Sequence, residues 1–284
     1  HKTVMKGILN QHDTRPGGAW SPQGQDANSG GIWAPVRLHL SRGATLDETI
    51  LRPDWSQGLM HPALKADIRY RALGQGTATV RLTATPANFS GKRYQADFPV
   101  TLESGAHSVQ LTLPMPKAKL WWPVGTGKPH LYTIRVTLRD ENGLMDTAVT
   151  RTGLRKIVEQ PDNKGWLIND KRLFIKGSNY IGSPWLNTMT REKYRRDLRL
   201  VEAMNANAIR VHGHVAGRAL YDVADEMGMM IWQDVPLQWG YNNSAAFTEN
   251  AVRQTREMIE QFGNSPAIIV WGGHNEPPWN SPWM

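Results

Sequence analysis

From residue 44 to about 157, apolar and polar positions alternate. Leu64, Ala66, Ile68, Tyr70 and Ala72 are apolar, and Lys65, Asp67, Arg69 and Arg71 between them are charged. The same period returns in Ala78, Val80, Leu82 and Ala84, in Tyr94, Ala96, Phe98 and Val100, in Val109, Leu111 and Leu113, and in Tyr132, Ile134, Val136 and Leu138. Side chains of a strand point to opposite faces in turn, so a strand with one buried face reads this way. Turn-formers separate the runs: Gly74-Gln75-Gly76, Ser90-Gly91 and Asn142-Gly143. Six or seven such strands over roughly a hundred residues predict an immunoglobulin-like β-sandwich.

Past residue 159 the period changes. Arg172 to Lys176, Ala208 to Val211, Met229 to Trp232 and Ala267 to Trp271 predict strands. The last is a continuous apolar run, suited to burial on both faces. Between them, Thr190 to Asn205 predicts a helix with Thr190 as its N-cap. Leu220, Val223, Ala224 and Met227 mark a second helix stopped by Gly228, and Phe247 to Phe262 a third closed by Gly263. Strands alternating with helices make a parallel sheet, here the first half of a (β/α)8 TIM barrel. Half a barrel leaves strand edges unpaired. The chain is therefore expected to be a segment of a longer polypeptide, truncated at both ends, with the remainder as its partner. Residues 1–40, rich in Gly, Pro and Asn, hold one expected strand, Val36 to Leu40, and read as the tail of a preceding domain. The expected organisation is a tail at 1–40, a sandwich at 41–158 and half a barrel at 159–284, with the boundary at 157–165.

Charge changes this picture little. Thirty-three Lys and Arg against 25 Asp and Glu give +8. The densest basic stretch, Arg191 to Arg199, is interrupted by Glu192 and Asp197. Tyr194, Leu198 and Val201 within and after it follow helical spacing, so the charges read as the solvated face of an amphipathic helix. No zinc-finger spacing or RNA-binding aromatic motif is present, and no nucleic-acid partner is expected. No window approaches the roughly 18 apolar residues of a membrane span, and the residues from His1 to Gly7 hold no apolar leader core. The chain has no cysteine, so disulfides and thiolate chemistry are excluded while the compartment stays open. Twelve Trp against 7 Tyr and 5 Phe is an unusual balance. Such indoles fill cores or stack on sugar rings.

Sites in α/β barrels lie at the carboxyl ends of the strands. There the sequence has Asn179, then His212 and His214, then Asp234, then His274, Asn275 and Glu276. Asn179 either serves the site or bonds a turn. Asp234 either lines the site or pairs with Arg210 as a structural bridge. The three histidines lack the i, i+4 spacing of a metal pair, and neither metal nor cofactor is expected. Glu276 follows the apolar strand, with Trp271, Trp279 and Trp283 close in sequence. A carboxyl group packed against indoles loses solvation, which favours the protonated form that a general acid needs.

These residues carry a resemblance. The run from Pro266 to Pro277 (PAIIVWGGHNEP) resembles the fourth-strand motif of glycoside hydrolase family 2, in which an Asn-Glu pair ends the strand. Leu120 to Gly125 (LWWPVG), Pro129 to Tyr132 (PHLY), Thr152 to Arg155 (TGLR) and Ile175 to Asn179 (IKGSN) resemble its middle domain, the junction and the first barrel strand. Gly30 to Leu38 (GGIWAPVRL) resembles the exit from its N-terminal sugar-binding jelly roll, which would make residues 1–40 the tail of that domain. Asp225 to Asp234 (DEMGMMIWQD) looks like the third strand of the β-mannosidase branch. The second strand departs from it: Arg210 to His214 reads RVHGH, with His212 where mannosidases have Trp. Exo-glucosaminidases of the family share a Gly-His at Gly213 and His214.

The resemblance implies a retaining exo-β-glycosidase acting on terminal β-linked sugars of an oligosaccharide or glycoside. Glu276 would be the acid/base, and Asn275 would bond the 2-hydroxyl. Arg210 would orient a nucleophile that lies on a seventh strand outside this chain, so this segment alone is expected to be inactive. His212, His214, Asp234 and Asn179 would line the pocket, with Trp185 and Trp239 as walls. A periplasmic or secreted bacterial location is also implied. The alternatives are another family specificity (exo-β-glucosaminidase, β-galactosidase or β-glucuronidase) and a carbohydrate-binding segment that cleaves nothing.

Overall fold

A computed structural model describes residues 32, 34–161, 165–183, 186–237, 240–241 and 244–277. The alternating region forms seven strands: β1 (Ala44–Asp54), β2 (Ala63–Ala72), β3 (Gly76–Pro86), β4 (Tyr94–Leu102), β5 (Gly105–Pro114), β6 (Tyr132–Asp140) and β7 (Gly143–Thr152). They pair antiparallel in two sheets, ordered β1-β2-β5 and β4-β3-β6-β7. The apolar alternates fill the core between the sheets. Leu64, Ala66 and Ile68 of one sheet and Val80, Leu82, Ile134 and Val136 of the other are all buried. The expected strand at Val36 to Leu40 does not form. Val36, Leu38 and Leu40 are exposed, and no sheet edge among the described residues pairs with them. Instead His39 Nε2 donates to the buried carboxylate of Asp146, 2.8 Å away, tying this stretch to the sandwich.

A small antiparallel sheet follows, built from β8 (Ile157–Glu159), β9 (Trp166–Ile168) and β10 (Lys171–Leu173). It takes part of the strand expected at Arg172 to Lys176. The first parallel strand, β11 (Gly177–Tyr180), begins only after it. Next come α1 (Arg191–Ala203), β12 (Ala208–Val211), α2 (Arg218–Met227), β13 (Met230–Asp234), α3 (Ala245–Phe262) and β14 (Ile268–Gly272). The four strands are parallel, in the order β11-β12-β13-β14.

Thr190 caps α1, its side chain accepting from the Lys193 N–H, and Ser244 caps α3 in the same way. Gly228 ends α2 in the left-handed conformation at φ 76°, where a Cβ would also meet the backbone of Trp122 and Val124. Tyr194 and Leu198 of α1 are buried as their spacing requires. The basic face is not simply solvated, because Arg191 and Arg195 both bond Glu226 of α2. In β14, Ile268 is buried, while Ile269, Val270 and Trp271 are only partly so. The strand is thus only partly covered among the described residues, where burial on both faces was expected. Among those residues no helix is long and apolar enough to cross a membrane.

The two units share a packed, hydrogen-bonded junction. Trp121, from the link between β5 and β6, is fully buried among the α/β core residues, and its Nε1–H donates to Asp225 O at 2.8 Å. Val124 N–H donates to Gly228 O at 2.9 Å. Arg155 donates to Pro266 O and Ile268 O, each at 2.5 Å. Burial pulls the guanidinium down to about 10, which leaves it charged at neutral pH. Asp225, 1% exposed, accepts from Ser265 Oγ at 2.5 Å and Ala267 N–H at 3.0 Å. Burial pushes its carboxyl up to about 6, against the opposing pull of those two donors.

A folded-state value above the ordinary 3.8 means that the folded form binds the proton more tightly. The contribution of Asp225 to stability is thus greatest below pH 4, falls between about pH 4 and 6, and is flat above. The full loss is about 3 kcal/mol. Asp225→Asn keeps an acceptor for both donors and removes the charge. Its melting temperature relative to the native chain should therefore rise as pH goes from 4 to 7. A difference that does not change with pH would mean that Asp225 does not titrate in this window.

Candidate active site

Parallel register brings the carboxyl ends of the four strands together. Asn179 stands beside Arg210, Arg210 beside Trp232, and Asp234 beside Gly272. Residues two apart on neighbouring strands share a face, so Arg210 and Asp234 meet. Arg210 Nε lies 3.1 and 3.0 Å from the two carboxylate oxygens of Asp234, and Nη2 lies 2.8 Å from Oδ2. Nη2 also donates to Asn275 Oδ1 at 2.8 Å. Asp234 is 1% exposed and takes a further bond from the Gly213 N–H at 3.1 Å. The alternative reading of Asp234 as a bridge to Arg210 is thus what the structure contains. Its carboxylate is spent on Arg210 and the backbone, within the sheet's end.

Asn275 is buried, and its backbone N–H donates to Leu237 O at 2.9 Å, while Val235 N–H donates to Gly272 O at 2.7 Å. The loops after β13 and β14 are stitched together at this point. With Oδ1 bonded to Arg210, the amide N–H groups are what Asn275 offers to a ligand. Glu276 follows at φ 49°, in the left-handed region, and is exposed. A residue with a Cβ pays about 1–3 kcal/mol to sit there, and such strain gathers at functional sites.

His212 and His214 lie on the loop after β12. His214 Nδ1 is 3.0 Å from His212 O, which can only accept, so this nitrogen carries the proton. Asn179 is exposed on the edge strand β11 and lies within it rather than after it. Trp271 stands in register with Gln233, on the helix-side face, and lines a groove between α3 and β1–β2. Trp185, Trp239, Trp279 and Trp283 lie outside the described residues.

Sequence reasoning missed Tyr221 and Gln233, both fully buried, which bond behind the histidine loop. Their signal was a polar Gln within β13, following the apolar run Met229 to Trp232. It also missed Gly272, where a Cβ would lie 2.5 Å from Asp234 Oδ1 and 2.7 Å from Trp232 Nε1.

Two family models match the chain: glycosyl hydrolases family 2 over residues 44–155, and the TIM barrel domain of the same family over residues 160–282. A beta-mannosidase B of Thermothelomyces thermophilus is 29% identical over 87% of this chain and 29% of its own length. A beta-glucuronidase of Bacteroides fragilis is 28% identical over 87% of this chain and 37% of its own. Among solved structures, a beta-D-mannosidase from Dictyoglomus thermophilum superposes with a TM-score of 0.73 at 26% identity, covering 82% of this chain and 29% of that one. Beta-glucuronidase 2 of Bacteroides uniformis, covalently bound to cyclophellitol-6-carboxylate aziridine, gives 0.70 at 25% identity, covering 84% and 29%. The chain thus spans less than two fifths of the length of these relatives.

Gly272→Ala tests the packing of the site. The added methyl must displace the Asp234 carboxylate or the Trp232 ring, at a cost of about 1–3 kcal/mol. Thermal unfolding should show that loss, and an unchanged midpoint would mean that the strand end gives way freely.

Proposed function

The chain belongs to glycosyl hydrolase family 2, and we propose that it carries the acid/base half of a retaining exo-β-glycosidase for terminal β-linked sugars, β-mannosides first. The observation that supports this most is Glu276. It is an exposed residue with its backbone in the left-handed region, next in sequence to an amide whose oxygen is already bonded to Arg210.

In a retaining reaction a carboxylic acid protonates the glycosidic oxygen, while a second carboxylate about 5–5.5 Å away attacks the anomeric carbon. Glu276 takes the first role. It returns as base when water releases the covalent glycosyl-enzyme. The Asn275 amide donates to the 2-hydroxyl, a bond that strengthens as charge develops at the neighbouring anomeric carbon. Arg210, held by Asp234, keeps that amide turned and sets positive charge beside the nucleophile. The nucleophile itself comes from sequence outside this chain. The covalent adduct of the Bacteroides uniformis relative supports a covalent intermediate. The mannoside reading rests on the Trp-Gln-Asp run at Trp232 to Asp234, and glucuronides are the competing substrate class.

In the full-length protein, Glu276→Gln should lower kcat/KM by about 10²–10⁴ on substrates whose leaving group needs a proton. Aryl glycosides with activated leaving groups should lose far less in glycosylation, and azide should restore part of the slow deglycosylation. Equal losses on both substrate classes, without azide rescue, would remove Glu276 from the acid role. A second variant addresses the sugar. His212→Trp should shift the preference among nitrophenyl β-glycosides more than it shifts the melting temperature. Unchanged kinetics on every substrate would mean that residue 212 points away from the sugar.

A further inference from the structure

The loop 212–217 carries both histidines, and β13 clamps it from both sides. Asp234 and Gln233 are consecutive, so their side chains leave opposite faces of the sheet. On one face Asp234 Oδ2 accepts from the Gly213 N–H. On the other, Gln233 Nε2 donates to His214 O at 2.8 Å and to Asp234 O at 2.7 Å. Two successive loop residues are thereby gripped by two successive strand residues.

The orientation of the Gln233 amide decides whether the second grip attracts or repels. Two carbonyls face its Nε2, so a flipped amide would set oxygen against oxygen. Tyr221 prevents the flip: its hydroxyl donates to Gln233 Oε1 at 2.6 Å. The same hydroxyl oxygen accepts from the Ala216 N–H at 3.3 Å, holding the far end of the loop. Tyr221 and Gln233 are both 0% exposed, so water does not replace these bonds when they break. The His214 ring is bonded to His212 O, which couples the two histidines within the loop.

We infer that the buried Tyr221–Gln233 pair is a positioning element that sets sugar specificity through the loop bearing His212 and His214, without touching the sugar. The inference rests on the functional reading above and extends it to residues which that reading leaves without a role.

Tyr221→Phe deletes the hydroxyl and keeps the ring that packs on Phe262, with centroids 4.2 Å apart. In the full-length protein it should change the kcat/KM ratio between the two best nitrophenyl β-glycosides by about tenfold, mostly through KM. Gln233→Met, which removes the clamp from the other end, should move the ratio in the same direction. Phe262→Leu disturbs the ring packing and spares the hydroxyl, so it should lower the melting temperature and leave the ratio alone. A ratio within twofold of the native value in Tyr221→Phe, or an equal shift in Phe262→Leu, overturns the inference while the glycosidase reading stands. No hydrolysis of any glycoside by the native full-length protein overturns both.

Discussion

Arg155 and Asp225 reach residues 265–268 from two different parts of the fold and close on the same stretch of backbone. Arg155 satisfies the carbonyls of Pro266 and Ile268, and Asp225 the Ala267 N–H and the Ser265 hydroxyl. Backbone groups entering a buried strand lose water and cost about 1–3 kcal/mol each when left unpaired. A guanidinium and a carboxylate together meet this need on both sides of the chain. Trp121 seals the junction, and an indole so fully enclosed is worth about 3–5 kcal/mol on truncation. The sandwich is therefore part of the α/β unit's foundation. The strand that leads to Asn275 and Glu276 starts from a point held by both.

The opposite end of the sheet solves a different problem. Asp234 is as buried as Asp225, but its partner is a guanidinium that reaches it with two nitrogens. Removing one member of such a pair costs about 3–5 kcal/mol when both are buried. Arg210 is 32% exposed, so the lower end of that range applies here. The remaining bond from Arg210 to Asn275 passes the constraint on to β14. Glu276 follows a residue pinned by its backbone and by its side chain. That pinning is how the chain can hold a non-glycine residue in the left-handed region at this place.

Much of the fold was legible because period is a local property. The strand at Ala208 to Val211, the cap at Thr190 and the stop at Gly228 follow from spacing and residue type within a few positions. What failed depended on distant partners. Val36 to Leu40 alternates like a strand but finds no edge to pair with among the described residues. Arg172 to Lys176 is apolar enough for a barrel strand, yet Lys171–Leu173 pairs back on β9. The Trp271 indole lies near Glu276 in sequence, yet its register with Gln233 sets it in the groove between α3 and β1–β2. Among the site residues, the polar set at the strand ends was readable as a set. The division of labour within it was not, since the bond between Asp234 and Arg210 arises only from the register of β12 on β13.

The same distinction bears on substrate. The β-mannosidase and β-glucuronidase relatives match this chain at nearly equal identity, 29% and 28%. In this chain the Arg155 grip, the parallel register and the Arg210–Asp234–Asn275 chain hold the strand ends in place without reference to any one sugar. One hydroxyl or carboxylate on the sugar is distinguished by a few side chains, and a site that hydrogen-bonds one group can reject its absence strongly. Such discrimination needs the loop to stay put to within a fraction of an ångström. In this chain the histidine loop is short and contains Gly213 at φ 64° and Gly217, so it has little stiffness of its own. Its shape comes from buried polar side chains on β13 and α2. The geometry of the histidine loop is then set from the sheet's interior, and exchanging a residue on the loop's open side leaves those bonds in place.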